Sequence, residues 1–134
     1  MITEIIGREK EIATLQALLE TNESEFVSVI GRRRVGKTFL VESVYANLIA
    51  FQITGIQNAT MEEQLEHFAN VLEVHSKSPF PIPVPTSWLR AFTLLIQYLE
   101  KTKTAHRRVV FFDELPWLST DKSKFFRCFW LFLE

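Results

Sequence analysis

An apolar strand leads through a glycine-bounded turn into a helix near the start of the sequence. Residues 26–30, FVSVI, form a short apolar run typical of a buried strand, and Gly31 ends it. From Gly36 onward, apolar side chains recur at helical spacing. The turn between them, GRRRVGKT at residues 31–38, matches G-x-x-x-x-G-K-[ST] at every fixed position. A strand, such a turn and a helix in succession are typical of α/β folds.

The residue types in this turn predict a phosphate-binding loop. Gly31 and Gly36 let the main chain curl tightly, so that successive N–H groups face an anion, and the following helix adds its dipole. Lys37 is predicted to reach the β- and γ-phosphates, with a catalytic role, and the Thr38 hydroxyl to ligate Mg²⁺. We therefore expect a polyphosphate such as a nucleotide, held by Gly31, Arg32, Arg33, Arg34, Val35, Gly36, Lys37, Thr38 and Phe39.

Arg32, Arg33 and Arg34 occupy variable positions of the motif, so the motif itself does not explain them. One interpretation is that they are solvated and pair with acidic residues elsewhere. The other is that one of them binds a phosphate, a neighbouring subunit or nucleic acid. The chain carries 15 Lys and Arg against 16 Asp and Glu, for a net charge of −1. Because there is no overall basic field, any binding driven by cations must be local.

Helices separate the apolar strands along the sequence. This alternation predicts parallel pairing in an α/β layer fold, and the runs FVSVI and VVFF favour strands buried on both faces. Thr60 and Glu63 have capping-box spacing, and four of the five prolines lie in the extended connector SKSPFPIPVP. Helices are predicted over 8–20, 87–101 and 121–134, and two more begin at 36 and at 60. Strands are predicted over 26–30, 48–54 and 107–114. Two helices have the apolar stripes Met61, Leu65, Phe68, Ala69 and Leu72, and Trp88, Phe92, Leu95, Ile96 and Leu99.

Two carboxylates follow the last of these strands. Asp113 and Glu114 come directly after VVFF. Ligands of parallel α/β sheets bind beyond the carboxyl ends of the strands, where Gly31 also lies. Asp113 is therefore the predicted magnesium partner, and Glu114 is predicted to be the catalytic base that activates or orients the attacking water.

Composition and cysteine content limit the class of protein. A length of 134 residues favours one domain with one core. Cys128 is the single cysteine, so it forms no internal disulfide, which fits a reducing compartment. The N-terminal segment has no signal-peptide core, and the longest fully apolar stretch, CFWLFL, is too short to span a bilayer. We therefore expect a cytoplasmic protein with no membrane partner.

Four segments carry a resemblance to a known family. IIGREKEI, GRRRVGKTFLVE, TGIQNATMEEQLEHFA and VVFFDELPWL together resemble the prokaryotic archaeal-type P-loop ATPases, relatives of the STAND and AAA+ classes. The resemblance covers residues 2 to 119 and implies ATP and Mg²⁺ as ligands. It also implies a three-layer α/β sandwich with a parallel sheet, and it places Gly7, Arg8 and Glu9 near the adenine. Asp113 and Glu114 match the acidic pair that ends the family's third core strand.

The same resemblance predicts an incomplete domain. The family's core sheet has the strand order 5-1-4-3-2, and this sequence supplies its strands 1–3 only, so residues 1–134 resemble the N-terminal part of the ATPase domain. On this interpretation ATP binds, and hydrolysis requires a partner chain that supplies the missing core. The apolar run FFRCFWLFL, at residues 125–133, is expected to favour self-association or a partner chain. The alternative is a non-enzymatic module in which Arg32 to Arg34 bind nucleic acid or a protein.

Overall fold

The computed structural model describes residues 2–5, 8–20, 26–29, 36–102 and 107–118. The predicted helix over 121–134 therefore lies outside the described residues. By its internal contacts the chain divides into two compact units, residues 1–49 and 50–132. The elements in chain order are β1 (Ile2–Ile5), α1 (Arg8–Leu18), β2 (Phe26–Val29), α2 (Lys37–Val44), β3 (Ile49–Thr54), α3 (Met61–Ser76), α4 (Trp88–Lys101), β4 (Val109–Asp113) and α5 (Leu115–Leu118).

The first unit contains a two-stranded parallel sheet. β1 pairs with β2 from Ile2 opposite Phe26 to Ile5 opposite Val29. The pairing of β2 agrees with the parallel arrangement expected from the sequence. β1 was not predicted from the sequence, although three of its four residues, Ile2, Thr3 and Ile5, are of β-branched types that favour strands.

The two helices of this unit are joined through one tyrosine. Leu15 of α1 and Leu40 and Val41 of α2 are buried, together with Tyr45, which follows α2. The Tyr45 hydroxyl donates a 2.6 Å hydrogen bond to the carbonyl of Leu15. This carbonyl is among the last four of α1, which have no partner within the helix. Tyr45 therefore completes the C-terminal end of α1.

The second unit contains the other sheet, formed by β3 and β4. Phe51 and Ile53 are fully buried and alternate with more accessible residues, so β3 has one buried face. Residues 109–112 of β4 are half-buried, and only Asp113 is buried. The expectation that VVFF is buried on both faces is therefore wrong. In the described ranges β4 pairs with β3, and β2 pairs with β1.

Local sequence signals set the ends of α3. The Thr60 hydroxyl accepts the N–H of Glu63, and the Glu63 carboxylate accepts the N–H of Thr60, which confirms the predicted capping box. The helix ends at Lys77, whose φ of 55° is left-handed. The predicted stripe is buried except for Met61, which is half-buried, and the buried residues are Gln64, Leu65, Phe68, Ala69 and Leu72.

α4 begins at a serine cap and buries a narrower stripe than predicted. The Ser87 hydroxyl accepts the N–H of Arg90, and the buried residues are Trp88, Ala91, Phe92 and Leu95. Ile96 was expected in the stripe, but it is 38% exposed. The reason is rotation: each residue turns a helix by about 100°, which carries Ile96 past the edge of the face centred near Leu95 and Phe92.

An aromatic cluster connects the sheet of the second unit to both long helices. Ring centroids lie 5.3 Å apart for Phe51 and Phe68, 6.0 Å for Phe68 and Trp88, and 5.7 Å for Trp88 and Phe92. Phe112 of β4 is 6.0 Å from Phe92 and 6.3 Å from Phe51. The tilted and edge-on geometries are those that aromatic pairs prefer. This cluster is the core on which β3 and β4 lie.

Two polar side chains fix the connections of α4. The Glu73 carboxylate accepts the N–H of Ile82 at 2.9 Å, which holds the proline-rich connector against α3. The Arg108 guanidinium donates to the carbonyls of Leu99, at 2.6 Å, and Thr102, at 2.9 Å. A cation at these carbonyls complements the negative end of the helix dipole. The residue that precedes β4 is thereby tied to the end of α4.

Candidate functional site

α2 begins directly after a glycine with a left-handed backbone. Gly36 has φ 79° and ψ 22°, in the left-handed region, and Lys37 is the first residue of the helix. The N–H of Leu40 donates a 2.8 Å hydrogen bond to the carbonyl of Gly36, which closes the first helical turn. Glycine adopts this conformation without the steric cost that a Cβ brings. The backbone at position 36 therefore favours glycine independently of any ligand.

The structure describes only part of the predicted phosphate-binding loop. Thr38 is half-buried and Phe39 is 67% exposed, both in the first turn of α2. Arg8, predicted to lie near the adenine, is the first residue of α1. The other predicted loop residues, Gly31 to Val35, and Gly7 lie outside the described residues.

The two predicted carboxylates lie where β4 ends. Asp113 is its last residue and is 4% exposed, while Glu114 is half-buried in a turn with φ 54°. The Glu114 N–H donates a 3.0 Å hydrogen bond to Oδ1 of Asp113. A carboxylate oxygen in this position is the kind of ligand that Mg²⁺ takes in proteins. The left-handed turn directly after the strand is a costly conformation for glutamate, so its surroundings must stabilise it.

Gly55, which follows β3, packs directly against this turn. Its N–H donates a 2.9 Å hydrogen bond to the carbonyl of Asp113, so the carboxyl ends of β3 and β4 lie side by side. A Cβ added at Gly55 would lie 2.6 Å from the carbonyl oxygen of Glu114 and 3.0 Å from Cβ of Trp117. Position 55 therefore has no room for a larger residue unless the turn moves.

A buried glutamine of α3 connects the same elements. The Gln64 side chain is fully buried. Its Oε1 accepts the N–H of Ile56 at 3.1 Å, and its Nε2 donates to the carbonyls of Ile56, at 2.6 Å, and Trp117, at 2.8 Å. The Trp117 N–H in turn donates to the carbonyl of Glu114 at 2.9 Å. Gln64 is therefore one hydrogen-bonded residue away from Glu114.

Neither Gly55 nor Gln64 is among the site residues predicted from the sequence. A signal for Gln64 was present, because it lies three residues after Met61 and four before Phe68, on the apolar side of its helix. A polar residue on such a face needs hydrogen-bonding partners. For Gly55 the sequence offers only a glycine at the end of a strand.

The predicted site residues fall into two groups, each described within its own unit. Gly36 to Phe39 belong to the first unit, and Asp113 and Glu114 belong to the second, with Gly55 and Gln64. In the described residues, no three His, Cys, Asp or Glu side chains are grouped so that they could hold a metal ion by themselves. None of the helices in the described part of the chain is long and apolar enough to cross a membrane.

Both groups fall within one family match. A family model described as an AAA ATPase domain matches residues 4–130. The chain belongs to the AAA ATPase domain family. An AAA ATPase domain is an ATP-binding domain of the P-loop α/β type, and the β-strands and helices described above are consistent with part of such a domain. Searches of curated proteins and of solved structures found no match to this chain.

AAA ATPase domains generally use ATP and Mg²⁺. The residues of this chain can therefore be compared with what these two ligands require. The left-handed Gly36 at the start of α2 and the buried carboxylate of Asp113 at the end of β4 both fit those ligands. The hydroxyl of Thr38 adds an oxygen of the type that Mg²⁺ prefers. Taken separately, each group has the chemistry that one part of such a ligand requires.

Proposed function

We propose that this AAA ATPase domain binds ATP with Mg²⁺ through the GRRRVGKT turn at residues 31–38. The observation that carries the proposal is the left-handed Gly36, with φ 79°, immediately before the helix that Lys37 opens. Gly36 has no side chain to cap the first turn of α2, and N–H groups at a helix N-terminus favour an anion. The Gly-Lys-Thr sequence at this point matches the phosphate-binding motif.

The chain's residues have separate roles in this proposal. Gly31 to Gly36 present main-chain N–H groups to the phosphates, and Lys37 neutralises the charge of the β- and γ-phosphates. Thr38 and Asp113 hold the Mg²⁺, which when bound offsets the negative charge of the phosphates. Phe39 flanks the loop, and Gly7 and Arg8 lie near the adenine by resemblance.

For hydrolysis, Glu114 is the proposed base that orients and deprotonates a water. Turnover demands that Glu114 and the phosphates meet in one geometry, whereas binding depends on a turn that is local in sequence. We therefore propose ATP binding as the primary activity of these residues, with hydrolysis as a second activity that depends on Glu114. The finer placement among archaeal-type ATPases of the STAND class, and a cytoplasmic location, belong to the same proposal.

The test measures ATP affinity for three proteins by calorimetry. Lys37→Ala removes charge-assisted hydrogen bonds and should weaken ATP binding by about tenfold to a hundredfold. Lys10→Ala is the matched control, because Lys10 is an exposed lysine of α1 in the same unit. It should bind ATP as the unchanged chain does. Equal ATP affinity in Lys37→Ala and the unchanged chain would show that the proposal is wrong.

A second measurement separates binding from turnover. Glu114→Gln should keep ATP affinity within about twofold, because the amide has the size of the carboxylate and does not touch the phosphate loop in this proposal. Any ATP hydrolysis should fall by about two to four orders of magnitude, the usual contribution of a general base. Unchanged hydrolysis in Glu114→Gln would remove Glu114 from the proposed mechanism.

A further inference from the structure

We propose that Gln64 and Gly55 are positioning residues that hold Asp113 and Glu114 in the geometry required for Mg²⁺ and water. This inference rests on the proposed ATP-binding function. Neither residue is suggested by the phosphate-binding motif or by the acidic pair, and neither carries a charge. Both lie on elements other than β4, so they fix the carboxylates from outside the strand.

The side-chain amide of Gln64 makes three hydrogen bonds to the main chain. One acceptor and two donors serve the Ile56 N–H, the Ile56 carbonyl and the Trp117 carbonyl. Nε2 faces the two carbonyls and Oε1 faces the N–H. Because only Nε2 can donate a hydrogen bond, the amide has one possible orientation. The side chain is fully buried, so no other partner could replace these groups cheaply. Gln64 thus joins the segment after β3 to α5.

The turn at Glu114 is held by contacts with its main chain. Glu114 is left-handed, with φ 54°, a conformation that needs support from its surroundings. Its carbonyl accepts the Trp117 N–H at 2.9 Å and lies against Gly55, where an added Cβ would come within 2.6 Å. The adjacent Asp113 carbonyl accepts the Gly55 N–H. The main chain on both sides of the two carboxylates is therefore held by β3 and, through Trp117, by Gln64.

These contacts make the carboxylate pair preorganised. The buried hydrogen bonds and the close packing of the backbone restrict the turn to one conformation. A metal ligand and a catalytic base both need such a fixed position. If the network is broken, Asp113 keeps its charge but loses its fixed direction. The effect should therefore appear in the contribution of Mg²⁺ to ATP affinity, while contacts made by the phosphate loop alone should persist.

The experiment compares ATP affinity in Mg²⁺ with affinity in EDTA for Gln64→Glu. A carboxylate has the size of the amide but cannot donate to the carbonyls of Ile56 and Trp117. Gln97→Glu is the matched control, since Gln97 is an exposed glutamine of α4 in the same unit. Mg²⁺ raises ATP affinity by a certain factor, and we expect this factor to be about tenfold smaller in Gln64→Glu than in the unchanged chain. The ATP affinity of the variant in EDTA should change by less than about twofold. Gln97→Glu should keep the full gain.

Gly55→Ala provides an independent variant, because it displaces the turn without changing any charge or hydrogen-bonding side chain. It should reduce the Mg²⁺-dependent gain in the same way. A purely structural role would lower the melting temperature of both variants but leave the ratio of affinities in Mg²⁺ and EDTA intact. That outcome would overturn the inference.

A measurement on the unchanged chain covers the case in which both variants fail to fold. The side-chain amide protons of Gln64 should exchange slowly with solvent, and their NMR signals should shift with Mg²⁺ and ATP more than with ATP in EDTA. Equal shifts in the two conditions would overturn the positioning role alone. If the unchanged chain binds no ATP in either condition, the proposed function fails, and the positioning role fails with it.

Discussion

The hydroxyl of Tyr45 lies 2.6 Å from the carbonyl oxygen of Leu15, thirty residues earlier in the chain. This carbonyl belongs to the last turn of α1, and the tyrosine satisfies it in a buried position. Tyr45, which directly follows α2, thus stabilises the end of α1. The bond joins the two helices of the first unit.

Replacement of this tyrosine by phenylalanine tests the bond. Tyr45→Phe keeps the ring but leaves the Leu15 carbonyl without its donor, which should lower the free energy of unfolding by about 1–3 kcal/mol. Urea denaturation measures the change. Thr14→Val is the control, because it deletes an exposed hydroxyl that bonds the Lys10 carbonyl on the same helix. Its effect should stay within about 0.5 kcal/mol, and equal effects in the two variants would contradict the argument.

The left-handed backbone of Gly36 gives a second prediction. Gly36→Ala should lower the free energy of unfolding of the nucleotide-free chain by about 1–2 kcal/mol, because a Cβ is strained at this φ. Gly36→Asn should cost less, since asparagine tolerates the left-handed region better than alanine. Thermal unfolding monitored by circular dichroism compares the two. Equal stability of the alanine variant and the unchanged chain would argue against a left-handed residue at this point.

The capping box of α3 predicts a dependence on pH. The Thr60 N–H, and then its hydroxyl, hold the pKa of Glu63 below its ordinary value of 4.5. A carboxyl whose pKa is lower in the folded state stabilises the protein above the unfolded value and loses that contribution as pH falls through the folded value. The free energy of unfolding of the unchanged chain should therefore fall as the pH drops below 4.5. The same drop in pH should reduce the free energy of unfolding of Glu63→Gln by a smaller amount.

Denaturation midpoints measured between about pH 6 and pH 3 check this sign. Glu66→Gln removes the same charge from the same helix away from the cap, so it serves as the control. A steeper acid-side loss in Glu63→Gln than in the unchanged chain would contradict the direction of the pKa shift.

Adjacent residues of α4 give a fourth prediction. Leu95 is fully buried and Ile96 is 38% exposed. Leu95→Ala should cost about 2–5 kcal/mol of unfolding free energy, the range for buried leucines, whereas Ile96→Ala should cost about 1 kcal/mol or less. Chemical denaturation of the pair measures the difference. Similar losses for the two would place the helix in a different rotation.

Local chemistry made several features predictable from the sequence. The capping box at Thr60 depends on residues three apart, and the strand over Ile49–Thr54 depends on a short apolar run, so both were predicted correctly. The left-handed Gly36 before α2 agrees with the fixed glycine of the motif. The roles assigned to Lys37 and Glu114 stay predictions, because they concern ligands rather than the fold.

Other features depend on contacts between distant segments. Gln64 and the Trp117 carbonyl are 53 residues apart, and the close approach of Gly55 to Glu114 likewise joins β3 to the end of β4. No periodicity or motif encodes which carbonyl a buried amide will meet. β1 was missed although Ile2, Thr3 and Ile5 favour a strand, because a four-residue segment is short and its partner β2 lies 24 residues further along the chain. The candidate site was thus predictable in its charged residues but not in the neutral ones around them.

The guanidinium of Arg108 donates to the carbonyls of Leu99 and Thr102. A segment inserted between Thr102 and Arg107 would therefore begin and end at points that are already joined. Closing such a loop costs little additional entropy, since the cost rises only slowly with length. This junction is accordingly a favourable place to introduce a fluorescent reporter or an epitope without displacing the strand that leads to Asp113.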